Sequence, residues 1–331
     1  MKKRRYKFFL AFFVFFELIV IILLGKSLYE KRNNVLGASV VVEPLNKDDL
    51  IFANQEDLEH FFEPKPNRTI VPKNPLLHYH LESQTINADS LNERYNYAIE
   101  KAPDTFRIIT LGDSYTYGLY MQTKDNYPEQ LEDMLQKLQC KGIKKFEVIN
   151  LGFGGYDIQY EVKRFEKRGE KYNPDLVLWF LKNDDFGQIA EVMNKKLAAY
   201  KKEMIESEDM DEYYKEGKFT PWGGKVTKEL LQSFGEKQLL DYQKNALHKI
   251  DTYYKRKLLI FSFSSLKKQY KNVIEDFVKS RSDSYFYDNL VDIYSMGESL
   301  PNDKHPTAAG YALIAEDIFK YLTANNLISC N

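Results

Sequence analysis

Four apolar runs constrain this chain more than any other feature: FRIITLG (Phe106–Gly112), EVINLG (Glu147–Gly152), LVLWFL (Leu176–Leu181) and LLIFSF (Leu258–Phe263). Each is short and continuously apolar rather than alternating, the pattern of a strand covered on both faces. A shorter strand is expected around Tyr285–Leu290. The intervening segments carry helical periodicity. A helix is expected from Tyr127, with Leu131, Leu135 and Leu138 on one face, and others near Ile158–Arg168 and Lys267–Val278. The last helix places Tyr311, Ile314, Ile318 and Leu322 on one stripe. Helices between strands force parallel crossovers. The expectation is an α/β fold, a three-layer α/β/α sandwich with a mostly parallel central sheet. No internal repeat is present, and 331 residues suffice for one such domain plus an anchor.

The N-terminus has a different character. A basic tail, residues 1–7, precedes an apolar run at 8–25 that is broken only by Glu17. As a helix this run would span about 27 Å, close to the hydrocarbon thickness of a bilayer. The leading lysines and arginines predict a single-pass signal anchor with the N-terminus in the cytoplasm and the rest extracytoplasmic. A cleaved signal peptide is the rival reading, but no small-x-small site closes the run. Glu17 would cost about 2.5 kcal/mol at mid-span. Residues 26–100 are polar and read as a stalk followed by a lead-in segment, and 101–331 as the main domain.

Charge excludes one class of partner. The 47 Lys and Arg balance 48 Asp and Glu, so nothing global favours nucleic acid. Cys140 and Cys330 make neither a disulfide framework nor a metal site, and whether they pair stays open. His78 and His80 have no carboxylate or cysteine at ligand spacing, so neither metal nor cofactor is expected. Residues 186–256 are too long for an ordinary connection and read as helical insertions that cap one end of the sheet. Their acidic run, 203–218, reads as solvent-facing.

Open parallel sheets bind ligands at the carboxyl ends of their strands. There the chain places GDSYTYG after the first strand, LGFGGYD after the second and LKNDD after the third, with NDKHPTAAGY before the last helix. Ser114 sits in a Gly-Asp-Ser turn, but a serine hydroxyl is a weak nucleophile until a base takes its proton. Of five histidines, only His305 closely follows an acid beside a strand end, and an acid there would fix its tautomer. Gly155 could bring a backbone N–H to a developing oxyanion, and Asn183 could add a side-chain donor. Taken singly, each of these is ordinary turn chemistry.

In this order the four blocks resemble the SGNH/GDSL hydrolase family, over roughly residues 100–325. GDSYTYG looks like its first block, NLGFGG its second, KND its third and NDKHPTAAGY its last. The resemblance implies a flavodoxin-like fold and a serine esterase without cofactor. Ser114, Asp303 and His305 would be catalytic, with Ser114, Gly155 and Asn183 as oxyanion donors. It also implies a short-chain O-acyl substrate, such as an O-acetyl group on an extracytoplasmic carbohydrate. Family members commonly place the acid three residues before the histidine, where this chain has Asn302. Asp303, two before, is the expected acid; if it turns away, a Ser–His dyad remains. Asp113 and Asp184 are expected to brace their turns. An O-acyltransferase acting on an extracellular polysaccharide would use the same residues. A membrane-tethered binding protein that keeps the fold without catalysis is the third reading. Oligomeric state stays open.

Overall fold

The computed structural model describes residues 50–52, 58–71, 83–195, 219–301, 303–328 and 330. The anchor at 8–25 with Glu17, the histidines at 78 and 80, the acidic run at 203–218 and Asn302 lie outside the described residues. Among the described residues no helix is long and apolar enough to cross a membrane.

Two small antiparallel sheets come first. β1 (Leu50–Phe52) pairs with β2 (Phe62–Pro64), and β3 (Arg68–Ile70) with β4 (Gln84–Ile86). The central sheet holds β5 (Thr105–Leu111), β6 (Lys145–Asn150), β7 (Leu176–Phe180), β8 (Lys257–Phe263) and β9 (Ser284–Leu290). All its pairings are parallel, in the order β6-β5-β7-β8-β9. The chain runs outward from β5 to β6 and then returns past β5 to β7. That reversal between β5 and β7 is the switch point of a flavodoxin-like sheet, where such folds bind ligands.

Successive residues on each strand point to opposite faces, and each face has its own core. Ile109, Ile149, Val177, Trp179, Leu258 and Ile260 meet α3 (Ile158–Arg164), α5 (Phe219–Tyr253) and α6 (Lys268–Lys279). Ile108, Val148, Leu178, Phe180, Leu259 and Phe261 meet α2 (Tyr127–Leu135) and α7 (Ala308–Ala324). The continuous apolar runs follow from this double coverage, and the layers are α/β/α. Two shorter helices, α1 (Ser114–Tyr117) and α4 (Asn183–Gly187), open at the carboxyl rim.

The 186–256 stretch differs from the expectation of a cap at one end of the sheet. Gly235, at φ 70° and ψ 158°, breaks α5 into two helices. The second half puts Ala246, Leu247 and Ile250 into the core beneath β7 and β8, where it serves as the crossover helix. Its sparse apolar stripe among charges hid that role.

β6 is an edge strand, and edge N–H groups invite foreign strands. Here side chains take them: Glu132 Oε2 accepts the Val148 N–H at 2.7 Å and Glu93 accepts that of Asn150. The lead-in segment is fastened in the same manner. Arg107 is 1% exposed, pairs with Glu147 and donates to the carbonyls of Ala98 and Tyr172. Glu63 on β2 meets Arg164 and Arg168. Cys140 and Cys330 form a disulfide that ties the segment before β6 to the C-terminal end.

Candidate active site

Ser114 opens α1, a single turn three residues beyond the end of β5. Its N-cap is Asp113, whose Oδ1 accepts the Tyr115 N–H at 2.9 Å. As the first helical residue, Ser114 has no acceptor for its own N–H within the turn. Gly152 allows this turn to sit low: a Cβ there would lie 2.5 Å from Tyr117 N and 2.6 Å from Thr116 Cβ. The same loop continues past Ser114, since a Cβ on Gly154 would lie 3.8 Å from Ser114 Cβ. Gly155 follows at φ 78°, the left-handed region that suits glycine. The Asn150 side chain braces this loop by accepting the Gly152 N–H at 2.9 Å.

His305 arrives from the other side, on the loop between β9 and α7. Its Nε2 lies 2.8 Å from Ser114 Oγ, and its Nδ1 bonds Asp303 Oδ1. With the Nδ1 hydrogen directed to the carboxylate, Nε2 is left as the acceptor for the serine hydroxyl, a tautomer assigned from the network. The His305 and Asp303 side chains are 17% and 12% exposed, so the pair is largely covered but keeps some contact with solvent. Burial would raise the Asp303 pKa, but hydrogen bonding and charge from His305, with the Tyr120 hydroxyl, hold it below the ordinary carboxylate value. Thr307 caps α7 by accepting the Gly310 N–H at 3.1 Å, which sets where the loop ends.

Aromatic rings hold the imidazole. The Tyr115 ring lies 5.0 Å from it, and the Tyr120 ring meets it edge-on at 5.3 Å. The Tyr115 hydroxyl donates to the Lys304 carbonyl at 2.7 Å and sits 2.7 Å from the Tyr294 hydroxyl. Lys182, two residues past β7, is buried with its Nζ 2.7 Å from Asp113 Oδ2 and 3.7 Å from the Tyr115 ring centroid. Burial alone would lower its pKa, but the charges of Asp113, Asp184 and Asp185 outweigh this and raise it. Motif reading passed over Lys182, Tyr115 and Tyr120, although Tyr115 and Lys182 each adjoin a residue it singled out.

The Asn183 side chain is held by the loop after β8. Its Nδ2 donates to the Ser265 carbonyl at 3.3 Å and its Oδ1 accepts the Lys267 N–H at 2.9 Å. The start of α4 thus lies against the loop after β8, the next strand in the sheet, and that loop offers the amide its partners. Asp113 braces its turn through the cap and the lysine pair. Asp184 is 56% exposed and lies 3.7 Å from Lys182. The remaining described histidines are distant in role: the His60 N–H binds Glu191, and the His248 ring packs on Phe277. Among the described residues no group of His, Cys, Asp and Glu could hold a metal ion.

Fold and site together define a class: an α/β/α protein with a Ser–His–Asp relay at the carboxyl rim of a parallel sheet, beside its switch point. No family model matches the sequence, and no curated protein matches it. Solved structures do resemble it. A two-domain esterase active on acetylated mannans, crystallised with mannopentaose, is 16% identical at a TM-score of 0.43. The likeness covers 69% of this chain and 52% of that one, so this chain spans about half its length. A mutant acetyl-xylooligosaccharide esterase from Geobacillus is 13% identical at a TM-score of 0.41, covering 66% of this chain and 95% of that one. A protein from Desulfitobacterium hafniense, described as lipolytic and of the G-D-S-L family, is 16% identical at 0.35, covering 65% and 98%. None of the likenesses supplies a residue role.

Proposed function

We propose that this protein is an SGNH/GDSL-type serine esterase that cleaves a short-chain O-acyl ester, such as an O-acetyl group on a carbohydrate. The observation that carries the reading is the 2.8 Å approach of His305 Nε2 to Ser114 Oγ, with Asp303 on the far nitrogen of the ring. In the reaction His305 takes the Ser114 proton as the oxygen attacks the ester carbonyl. The C=O electrons move onto oxygen, where the Ser114 and Gly155 N–H groups hold the charge. Asn183 is the third donor of this reading, through the amide hydrogen not given to Ser265. Collapse of the tetrahedral adduct expels the alcohol, which receives the proton from His305. Water, activated by the same imidazole, then releases the acid from the acyl-enzyme. Asp303 keeps the ring in its tautomer and stabilises the imidazolium.

The deciding experiment compares the wild type with Ser114→Ala on p-nitrophenyl acetate and on acetylated xylan and mannan. Acyl release that depends on Ser114 is expected. Full release by Ser114→Ala, or none by the wild type, would sink the reading.

We also propose that the enzyme is tethered by the 8–25 run with its domain outside the cytoplasm. The basic tail supports that orientation, and the Cys140–Cys330 disulfide suits an oxidising compartment. Protease added to spheroplasts, whose cytoplasmic membrane is intact but outer barrier opened, should then degrade the domain. A fully protected domain would refute the placement.

A further inference from the structure

We propose that Lys182 is a positioning residue for the Ser114–His305 pair, one ammonium clamping the nucleophile turn and the histidine loop against each other. The inference rests on the esterase reading above and deepens it. Its origin lies in the sheet. β5 and β7 are parallel neighbours, with Leu111 beside Trp179, so the turns that leave them run side by side. Lys182 stands two residues past β7 and Asp113 two residues past β5, which brings the two side chains into contact.

From the ammonium two paths lead to the reacting atoms. On the first, Nζ lies 2.7 Å from Asp113 Oδ2, while the other oxygen of that carboxylate caps the Tyr115 N–H at 2.9 Å. Lys182 thereby anchors the residue from which Ser114 springs. On the second, Nζ lies 3.7 Å from the centroid of the Tyr115 ring, a close cation–π contact in a desolvated place. That ring packs on the imidazole at 5.0 Å, and its hydroxyl donates to the carbonyl of Lys304, the residue before His305. Tyr294 adds its hydroxyl, 2.7 Å from that of Tyr115. The Lys182 side chain is only 9% exposed, so it acts through these neighbours rather than on substrate.

The environment keeps this cation single and directed. Asp185 is pushed well up by burial and by the charge of Glu161, and it takes the Lys182 N–H rather than the ammonium. Asp184 stands farther off, at 3.7 Å and largely in solvent. Asp113 and the Tyr115 ring are the close partners. A lysine placed only to neutralise Asp113 would need no aromatic face that leads on to the histidine.

The test uses the full-length protein in detergent. Lys182→Met keeps the stem and removes the charge. Its kcat on p-nitrophenyl acetate is expected to fall about 10- to 100-fold with KM within about twofold, since misplaced reacting groups cost rate more than binding. Labelling of Ser114 by a fluorophosphonate should slow by a similar factor, with circular dichroism showing a folded protein. Wild-type kcat and labelling in that variant would overturn the inference. Where Lys182→Met fails to fold, Tyr115→Phe serves instead, because it keeps the ring and deletes the hydroxyl that holds Lys304. A kcat loss of about 3- to 10-fold without a KM change is expected, and an unchanged kcat again overturns the inference. A wild type that neither hydrolyses ester nor labels would bring down the esterase reading, and this one with it. An active wild type beside an unimpaired Lys182→Met removes this inference alone.

Discussion

Ser114 Oγ and His305 Nε2 stand 2.8 Å apart although 191 positions separate them in the chain, and Asp303 occupies the other nitrogen of the same ring. Neither local loop could make this contact alone. The turn after β5 presents the hydroxyl, and the loop before α7 presents the imidazole. Rings and hydrogen bonds from Tyr115 and Tyr120 keep the two loops together.

Removal of the hydroxyl should therefore be far more damaging than loss of binding alone would be. Ser114→Ala is expected to lower kcat on p-nitrophenyl acetate by about 10⁴-fold or more. Asp303→Asn, which frees the wrong tautomer, should cost about 10⁴-fold on the serine-protease precedent. If Asp303→Asn turns over like the wild type, Ser114 and His305 work as a dyad.

Gly152 packs directly against α1, the turn that begins at Ser114. A Cβ at this position would meet Tyr117 N at 2.5 Å and Thr116 Cβ at 2.6 Å, so α1 would have to move. Gly152→Ala is expected to destabilise by about 1–3 kcal/mol, the usual cost of overpacking, and to depress kcat at the same time. Urea melts and initial rates measure both; wild-type values for both would show that the loop gives way freely.

Glu63 makes the fold sensitive to acid. Burial raises its pKa, but Arg164, Arg168 and Lys167 outweigh this and bring it from 4.5 to about 2. A depressed carboxylate stabilises above its unfolded value, and that contribution is lost as pH falls from about 4.5 towards 2. The amount is on the order of 3 kcal/mol at neutral pH. Urea midpoints at pH 7 and pH 6 should reflect it in full, with a decline that begins near pH 4.5 and is plain by pH 3. Glu63→Gln should flatten that decline and cost about 3–5 kcal/mol at neutral pH by leaving the buried Arg164 uncompensated. An acid limb unchanged in Glu63→Gln would assign it to other carboxylates.

The disulfide joins residues 190 apart in the sequence, from just before the edge strand to just after the last helix. Reduction, or Cys140→Ser, should lower unfolding stability by about 2–5 kcal/mol. Denaturation with and without dithiothreitol measures the difference. Identical curves, with both thiols free to alkylation in the untreated protein, would show that the pair does not form.

Much of this architecture is written in short stretches of sequence. Continuous apolar runs such as LVLWF, short and bounded by turns, point to strands covered on both sides, and the periodicity of Tyr311, Ile314, Ile318 and Leu322 points to a helix with one buried stripe. Ser114 and His305, which the structure brings together, were legible because each lies in a turn, one at a strand's carboxyl end and one before a helix. Lys182 was not, because nothing in the motif around it says that Asp113 and a tyrosine face wait on the neighbouring strand. Nor was the destination of the Asn183 amide, which depends on how near the loop after β8 approaches. The crossover role of α5 was hidden for a related reason: its apolar residues are sparse, and only the sheet beneath them gives Ala246, Leu247 and Ile250 a common direction.

The sequence by itself determined the local elements, the double coverage of the sheet and the order of the four polar turns, because backbone periodicity and turn chemistry act over a few residues. Only the tertiary structure decided that Cys140 meets Cys330, that the Asp303 carboxylate bonds the His305 ring, and that Lys182 sits beneath Tyr115. Those contacts join segments far apart in the chain, and strand order, which brings β5 beside β7, is what closes the distance between them.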